Sequence, residues 1–435
     1  MDPAALVGLI LLFCIIIGIV SSVPIAIVIG VASFLAAVPI LGPEQAALVS
    51  AQRIFTGINS FPLLAIPLFV LAGVIMNNGG IASRLVDAAK VLTGRAPASL
   101  AQTNVVANTM FGAVSGAAVA AAAAVGSVMN NRMVKEGYDR PFAAAVNIAS
   151  APAGMLIPPS NTFIVYSLVS STSIAALFMA GAIPGVMWAL ACMVVVYLYS
   201  RRQPGRLRSE DRISFSDGLR VIGRAVPSLL MIVVVVGGIL GGFFTATESA
   251  AIAVVYCLVL SACYRSIKVG DLPDILINAG RTTAIVMLLV GVSTSLSFTM
   301  AYARIPDLIS ETVLGLTDSR VLILILMMLV LILVGTFMDP TPAILIFVPI
   351  FLPIATEFGI DPVHFGAMVV MNLSLGVITP PVGNVLFVGS RLANLRIEPV
   401  ITKLWPFLFA IVAMLFLVVF IPQLSLWLPT ALGLL

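Results

Sequence analysis

Few side chains in this sequence are equipped for chemistry, and those that are stand beside helix breakers. Gly154-Met-Leu-Ile-Pro158-Pro159-Ser160-Asn161-Thr162 interrupts one apolar run. Gly376-Val-Ile-Thr379-Pro380-Pro381-Val-Gly383-Asn384 interrupts another, 222 residues later. A Pro-Pro pair removes backbone donors and clashes with the preceding turn, so each run must open there. In lipid, the freed amides and carbonyls are tolerated only where they are buried in protein or line a wet cavity. Two such breaks at matching places in two halves point to a binding site of the kind secondary transporters carry. Unwound carbonyls suit a hard cation such as Na⁺, and helix N-termini offer N–H groups to a carboxylate.

Charge is nearly absent from these stretches. No charged residue lies between Ala96 and Asn131 or between Pro141 and Ser200, and Asp339 is the only one from Val321 to Thr356. An organic acid would therefore be met by Ser115, Ser160, Asn161, Thr379, Asn384 and backbone amides, with Na⁺ as counter-charge. Pro158, Pro159, Pro380 and Gly383 would shape the two breaks. Plainer readings stand beside this one. Small residues over Gly112–Gly116 also allow close helix packing. Ser160, Asn161 and Asn384 are suited to cap the half-helices that restart there. Asp339-Pro340 is a helix-start signature, although an acid at membrane depth is also a functional candidate. Thr245-Ala-Thr-Glu248 reads as a capping box, which suffices for Glu248.

The elements that must position these residues follow from composition and breakers. The 435 residues are 61% hydrophobic and 9% charged, with a mean hydropathy of +1.18, whereas soluble domains carry roughly 25% charged residues. The chain reads as an all-α integral membrane protein, its first apolar run a retained helix and not a cleaved signal. Cys14, Cys192, Cys257 and Cys263 are scattered without disulfide or metal-ligand spacing, and the single histidine, His364, receives no role.

Hydropathy predicts helices over 4–22, 23–41, 62–78, a long one ending at Ser200, then 225–243, 247–264, 279–301 and 404–428. Segments 44–59 and 80–94 read as interfacial. The runs 97–112 and 117–130, joined by Gly112-Ala-Val-Ser115-Gly116, are short enough to form a re-entrant hairpin. A second hairpin follows from 322–335 and 341–356 around Gly335-Thr336-Phe-Met-Asp339-Pro340. At a constant offset of 222, Gly137, Asp139, Gly154, Pro158 and Pro159 fall on Gly359, Asp361, Gly376, Pro380 and Pro381, which marks an internal repeat. The linker 201–224 carries Arg201, Arg202, Arg206, Arg208, Arg212, Arg220 and Arg224, so the positive-inside rule places it in the cytoplasm. Counting crossings from it puts the Arg132–Arg140 turn and Arg391, Arg396 and Lys403 on the same side. The acid-rich loops beside hairpin two, and both termini, fall on the periplasmic side. That topology makes the repeats inverted.

The sequence at this point resembles the large membrane subunit of a TRAP (tripartite ATP-independent periplasmic) transporter. The resemblance rests on Ser115-Gly116-Ala117, Gly137-Tyr-Asp139, Ile157-Pro158-Pro159-Ser160, Leu177-Phe-Met-Ala-Gly181-Ala-Ile-Pro184-Gly185, Phe244-Thr-Ala-Thr-Glu248, Gly335-Thr-Phe-Met-Asp339, Gly359-Ile-Asp361-Pro362-Val-His364-Phe365-Gly366 and Thr379-Pro-Pro-Val-Gly383. It implies a Na⁺-driven importer of an organic acid in the bacterial inner membrane, not an enzyme and without a cofactor. A C4-dicarboxylate, a keto acid and a sialic-acid-like sugar acid all remain open as substrates. It implies two partners, a periplasmic substrate-binding protein and a small four-helix membrane subunit. It also implies an elevator mechanism, in which residues 97–172 and 321–393 move against a scaffold of 1–80, 173–303 and 394–435, with interfacial arms at 81–96 and 304–320.

By that resemblance Na⁺ is held where each hairpin tip meets its broken helix. The residues are Ser115, Gly116 and Ser150 to Gly154 in one half, and Gly335, Thr336, Asp339 and Asn372 to Gly376 in the other. The sequence departs from the commoner family pattern at Ala246 and at Asn161, the second of which touches the site. A binding-protein-independent Na⁺/carboxylate symporter of a related fold is the nearest rival. An intramembrane enzyme is disfavoured by the lack of a nucleophile–base set. A purely structural scaffold would leave the paired breaks unexplained.

Overall fold

A computed structural model describes residues 3–21, 23–202, 215–305, 308 and 319–435. Among them the chain is helical throughout, without a strand, and eight helices are long and apolar enough to cross a membrane.

Three helices open the chain: α1 (Pro3–Val20), α2 (Ile25–Leu41) and α3 (Pro43–Ile58). The first two are apolar and pack on each other. The third is amphipathic, as the polar residues between Glu44 and Asn59 require. One 3₁₀ turn, Phe61–Leu64, leads into α4 (Ala65–Asn78), and the left-handed Gly80 starts α5 (Ile81–Thr93). In α5 the Arg84 guanidinium lies 3.3 Å above the Tyr264 ring centroid.

Hairpin one is α6 (Ser99–Ser115) and α7 (Ala118–Lys135). Its turn lies at Gly116, φ +64, and not across Gly112–Gly116. Gly112 stays helical because its missing side chain is used for a close helix contact, described below. Then come α8 (Arg140–Ser150), the single turn α9 (Ala153–Leu156) and α10 (Asn161–Ser170), which leaves the preceding axis by 45°. The long helix expected to end at Ser200 starts after a turn that closes the broken helix. Ser171 turns left-handed at φ 55, and α11 (Ile174–Arg201) restarts with Ser173 accepting from the Ala176 amide.

Past the linker, α12 (Phe215–Leu240) begins earlier than hydropathy suggests. Arg220 and Arg224 are therefore helical, while Arg206, Arg208 and Arg212 lie outside the described residues. The capping box forms at the start of α13 (Ala246–Cys263): Thr245 accepts from the Glu248 amide and the Glu248 carboxylate accepts from the Thr245 amide at 2.7 Å. Helix α14 (Leu272–Tyr302) follows, and most of the 304–320 arm lies outside the described residues.

Hairpin two is α15 (Arg320–Phe337) and α16 (Pro340–Glu357), turning at Met338-Asp339, so Gly335 and Thr336 belong to the last turn of α15. The second broken helix is α17 (Pro362–Gly376) and α18 (Asn384–Leu392). The final helix is two, α19 (Ile397–Phe420) and α20 (Gln423–Ala431), divided at Ile421-Pro422 because proline cannot continue the ladder.

Two groups of helices result. Helices α1 to α4 gather around α13 and α14. The hairpins and broken helices form the other group through crossed packing. The first arm of each hairpin lies along the first half of its own broken helix: α6 on α8 and α9, and α15 on α17. Each second arm lies along the second half of the other unit's broken helix: α7 on α18, and α16 on α10. Helix α11 seats against α6, α8, α9 and α17, and α19 and α20 pack on it. Gly181 and Gly185 allow this, since a methyl group at Gly185 would lie 2.5 Å from Ile157 and 3.1 Å from Leu156.

Candidate functional site

Each hairpin meets its broken helix glycine to glycine. A Cβ on Gly112 would stand 2.8 Å from the Gly154 Cα, and one on Gly335 would stand 3.0 Å from the Gly376 Cα. Neither seam has room for a side chain, so the backbone of each hairpin is pressed onto the backbone that is about to open.

The tips then reach the breaks. At tip one, Gly116 packs on Asn161: a Cβ there would lie 3.0 Å from the Asn161 amide nitrogen. Ser115 is buried beside it, its hydroxyl 3.5 Å from the Ala117 carbonyl. At tip two, the Asn384 side chain lies beside the Asp339 carboxylate. Asp339 is exposed at this tip. Asn161 and Asn384 thus do the same thing in the two units: each opens a second half-helix and touches a hairpin tip.

Both breaks carry a cis peptide, at Pro158–Pro159 and Pro380–Pro381. Freed backbone groups are met by nearby hydroxyls. In break one the fully buried Ser160 donates to the Met155 carbonyl, Thr162 lies 2.7 Å from Ser160, and it donates to the same carbonyl at 3.3 Å. In break two the Gly383 amide donates to the Thr336 carbonyl of tip two at 2.9 Å, and the Val385 amide to the Val377 carbonyl at 3.0 Å. Gly383 has φ +51, and the Val377 and Thr379 carbonyls would each lie 3.0 Å from a Cβ there. Only glycine fits. The Thr336 and Thr379 hydroxyls donate back to Leu333 and Leu375, each at 2.7 Å.

Neither Ser160 nor Gly383, the residues preceding the restarted helices, makes a side-chain cap, so capping does not account for the polar residues here. Ser160 instead ties its own break together and offers little free bonding capacity to a ligand. At the junctions Asp339 is exposed, and Asn161, Thr379 and Asn384 are partly accessible.

Ser150 and Asn372 occupy matching positions one turn before the breaks. The Ser150 hydroxyl accepts from Asn108 at 2.8 Å and donates to Val146 at 2.7 Å. Asn372 donates to the Met328 carbonyl at 3.2 Å, and its side-chain oxygen is buried with no partner. The Asn104–Asn108–Asn147 cluster around Ser150 was not singled out by the sequence reading. The Asn108 amide reaches Asn104 Oδ1 at 2.9 Å and Asn147 Oδ1 at 3.0 Å, and Asn147 donates to the Ala122 carbonyl at 2.9 Å. The available signal was polar spacing at i, i+4 on α6 and i, i+3 on α8. His364 also gains a place: its ring bonds Ser425 at 2.6 Å, fastening the start of α17 to α20.

Among the described residues no group of three or more His, Cys, Asp or Glu could hold a metal ion. What converges at the two junctions is hydroxyl, amide and backbone oxygen with the Asp339 carboxylate, an all-oxygen set that suits a hard cation better than a soft one.

Two hairpins pressed on two broken helices, with oxygen-bearing groups gathered where tip meets break, are the arrangement of a membrane transporter. The family model described as "Tripartite ATP-independent periplasmic transporter, DctM component" matches residues 12–424. The chain is 50% identical to the uncharacterized protein YgiK of Salmonella typhimurium, over 94% of each chain. It is 38% identical to the C4-dicarboxylate TRAP transporter large permease protein DctM of Pseudomonas aeruginosa, over 88% of this chain and 90% of that one. The YdaH transporter of Alcanivorax borkumensis shares the fold, with a TM-score of 0.60 at 15% identity over 99% of both chains. The chain belongs to the DctM family, the large membrane subunit of TRAP transporters.

Proposed function

We propose that the protein is the permease of a Na⁺-coupled, binding-protein-dependent importer of a small organic acid. The observation that carries the coupling is the pair of junctions, where tip and break meet through oxygens without a basic side chain. An anion entering such a site lacks a positive partner until a cation arrives, so Na⁺ and acid favour each other's binding. The cation would lie against Ser115, Gly116, Ser150 and Gly154 in one half. In the other it would lie against Gly335, Thr336, Asp339, Asn372 and Gly376, where the unpartnered Asn372 oxygen supplies an unused ligand. The acid would contact Asn161, Asn384, Thr379 and the backbone beside Pro158, Pro159, Pro380 and Gly383.

The hairpins and broken helices move as one body in this reading, because their crossed packing leaves no seam between the two units. Helices α11 and α19–α20 lie in segments 173–303 and 394–435, expected from the sequence to be scaffold, but they are seated on that body and would travel with it, while α1–α4 with α12–α14 would stand still. The two units would have inverted orientation in the bacterial inner membrane, with the Arg-rich linker cytoplasmic and both termini periplasmic. A small membrane subunit and a periplasmic binding protein complete the system, as the tripartite family description implies. Transport of a C4-dicarboxylate by the Pseudomonas relative makes succinate-like acids the first substrates to try, followed by keto acids and sugar acids.

Uptake into proteoliposomes tests this, with and without a Na⁺ gradient, small subunit and cognate binding protein. Uptake requiring all three is expected. Uptake with Na⁺ alone would make it a simple symporter, and indifference to Na⁺ would overturn the coupling.

A further inference from the structure

Between the open end of hairpin one and the α18–α19 junction lies a cavity of about 40 Å³, lined by Asn130, Asn131, Val134, Arg140, Ala393 and Asn394. It is remote from the transport junctions: Asn130 follows tip one by more than three helical turns of α7. Asn130 is only 6% exposed, and neither its amide nitrogen nor its oxygen has a hydrogen-bond partner. Buried primary amides are almost always satisfied, so the cavity calls for an occupant. Its volume exceeds the roughly 10–15 Å³ that one water requires on the same measure.

The chemistry of the lining narrows that occupant. Arg140 supplies the one formal charge on the wall and makes no ion pair among the described residues. Its neighbour Asp139 is engaged with Lys403 at 3.4 Å. The flanking segments add Arg132, Lys135, Arg391 and Arg396 against Glu136 and Glu398. A planar guanidinium with amide N–H donors suits a phosphate oxyanion. The unmet Asn130 oxygen adds a requirement for a donor, which a phosphate hydroxyl or a headgroup hydroxyl meets and a sulfate at neutral pH does not.

We propose that this cavity is a binding site for a hydroxyl-bearing phosphate, taken either from solution or from a phosphatidylglycerol headgroup. The bound group bridges α7, the start of α8 and the α18–α19 junction, and so links the two units.

The test is thermal unfolding of the full chain in detergent, titrated with inorganic phosphate against chloride and sulfate at equal ionic strength. Native mass spectrometry with phosphatidylglycerol and with a phosphate-free galactolipid accompanies it. Phosphate at about ten times its Kd is expected to raise the midpoint by roughly 2 °C, with sulfate weaker. A phosphatidylglycerol adduct without a response to free phosphate would support the site and assign its source to lipid. Asn130→Leu and Arg140→Gln should each abolish whichever response is seen. Arg140 is surface-exposed, so its variant keeps the test decisive even where Asn130→Leu fails to fold. No response to either phosphate source, or a response that survives both substitutions, would overturn the proposal and leave the cavity to water.

Discussion

At the scale of single residues, the most demanding positions are those with no side chain. A methyl group on Gly376 would come 2.5 Å from the Gly335 Cα, and the Gly112–Gly154 seam is as tight. Overpacking of this kind costs about 1–3 kcal/mol, and here it must be relieved by parting hairpin and break. Gly154→Ala and Gly376→Ala are each expected to lower the thermal midpoint and to cut uptake more than tenfold. Gly223→Ala is the control, since nothing lies within 4 Å of its Cβ position. It should be neutral or stabilising by up to about 1 kcal/mol. Equal behaviour of the three in melting and uptake would refute the seam argument.

Asn372 supports a second prediction at this scale. Its buried oxygen is unpartnered, so a structural role alone predicts that Asn372→Leu costs no more than the single bond donated to the Met328 carbonyl, about 1 kcal/mol. If that oxygen binds the coupling cation, the same change should weaken Na⁺ activation of uptake about tenfold or more while the protein stays folded. Na⁺ titration of uptake, with melting as the folding control, separates the two. An unchanged Na⁺ response would remove Asn372 from the site.

At the scale of elements, breakers were legible where their local geometry allows one meaning, and ambiguous elsewhere. The Pro-Pro pairs located both breaks, and Asp339-Pro340 located the start of α16. Gly112 misled, because a glycine between apolar runs is equally suited to a turn and to a close contact, and only packing decides. The α10–α11 division carries no proline, and the run Ser170-Ser171-Thr172-Ser173 was its sole signal inside a continuous apolar stretch. The asparagine network around Ser150 was invisible to hydropathy, which averages isolated amides into their surroundings.

Matching positions can also do different work. Asp361 accepts from the Val363 and His364 amides at 2.7 and 3.3 Å and caps α17, whereas its counterpart Asp139 makes no cap and pairs with Lys403. Asp361→Ala should therefore cost about 1 kcal/mol. Asp139→Asn, which loses a half-exposed ion pair, should cost between 0 and about 1 kcal/mol. Chemical denaturation in mixed micelles would read the difference, and a reversed order would show that the caps are misassigned.

At the scale of the whole molecule, the hairpins and broken helices pack across the two units. Each second arm is held by the other unit's half-helix, so both units must enter the membrane before either is complete. Charge then decides which way they face. Arg132, Lys135 and Arg140 flank the turn after hairpin one, whereas Glu357 and Asp361 flank the corresponding turn after hairpin two, and positive-inside bias favours opposite sides for the two. Lys135→Cys and Glu357→Cys, each placed in a background lacking the four native cysteines, make that measurable. A membrane-impermeant maleimide should label the Glu357 variant in intact cells and the Lys135 variant only after permeabilisation. Labelling of both from outside would give the two units the same orientation. The proposed inversion would then fail, and alternating access by sliding this body would have no geometric basis.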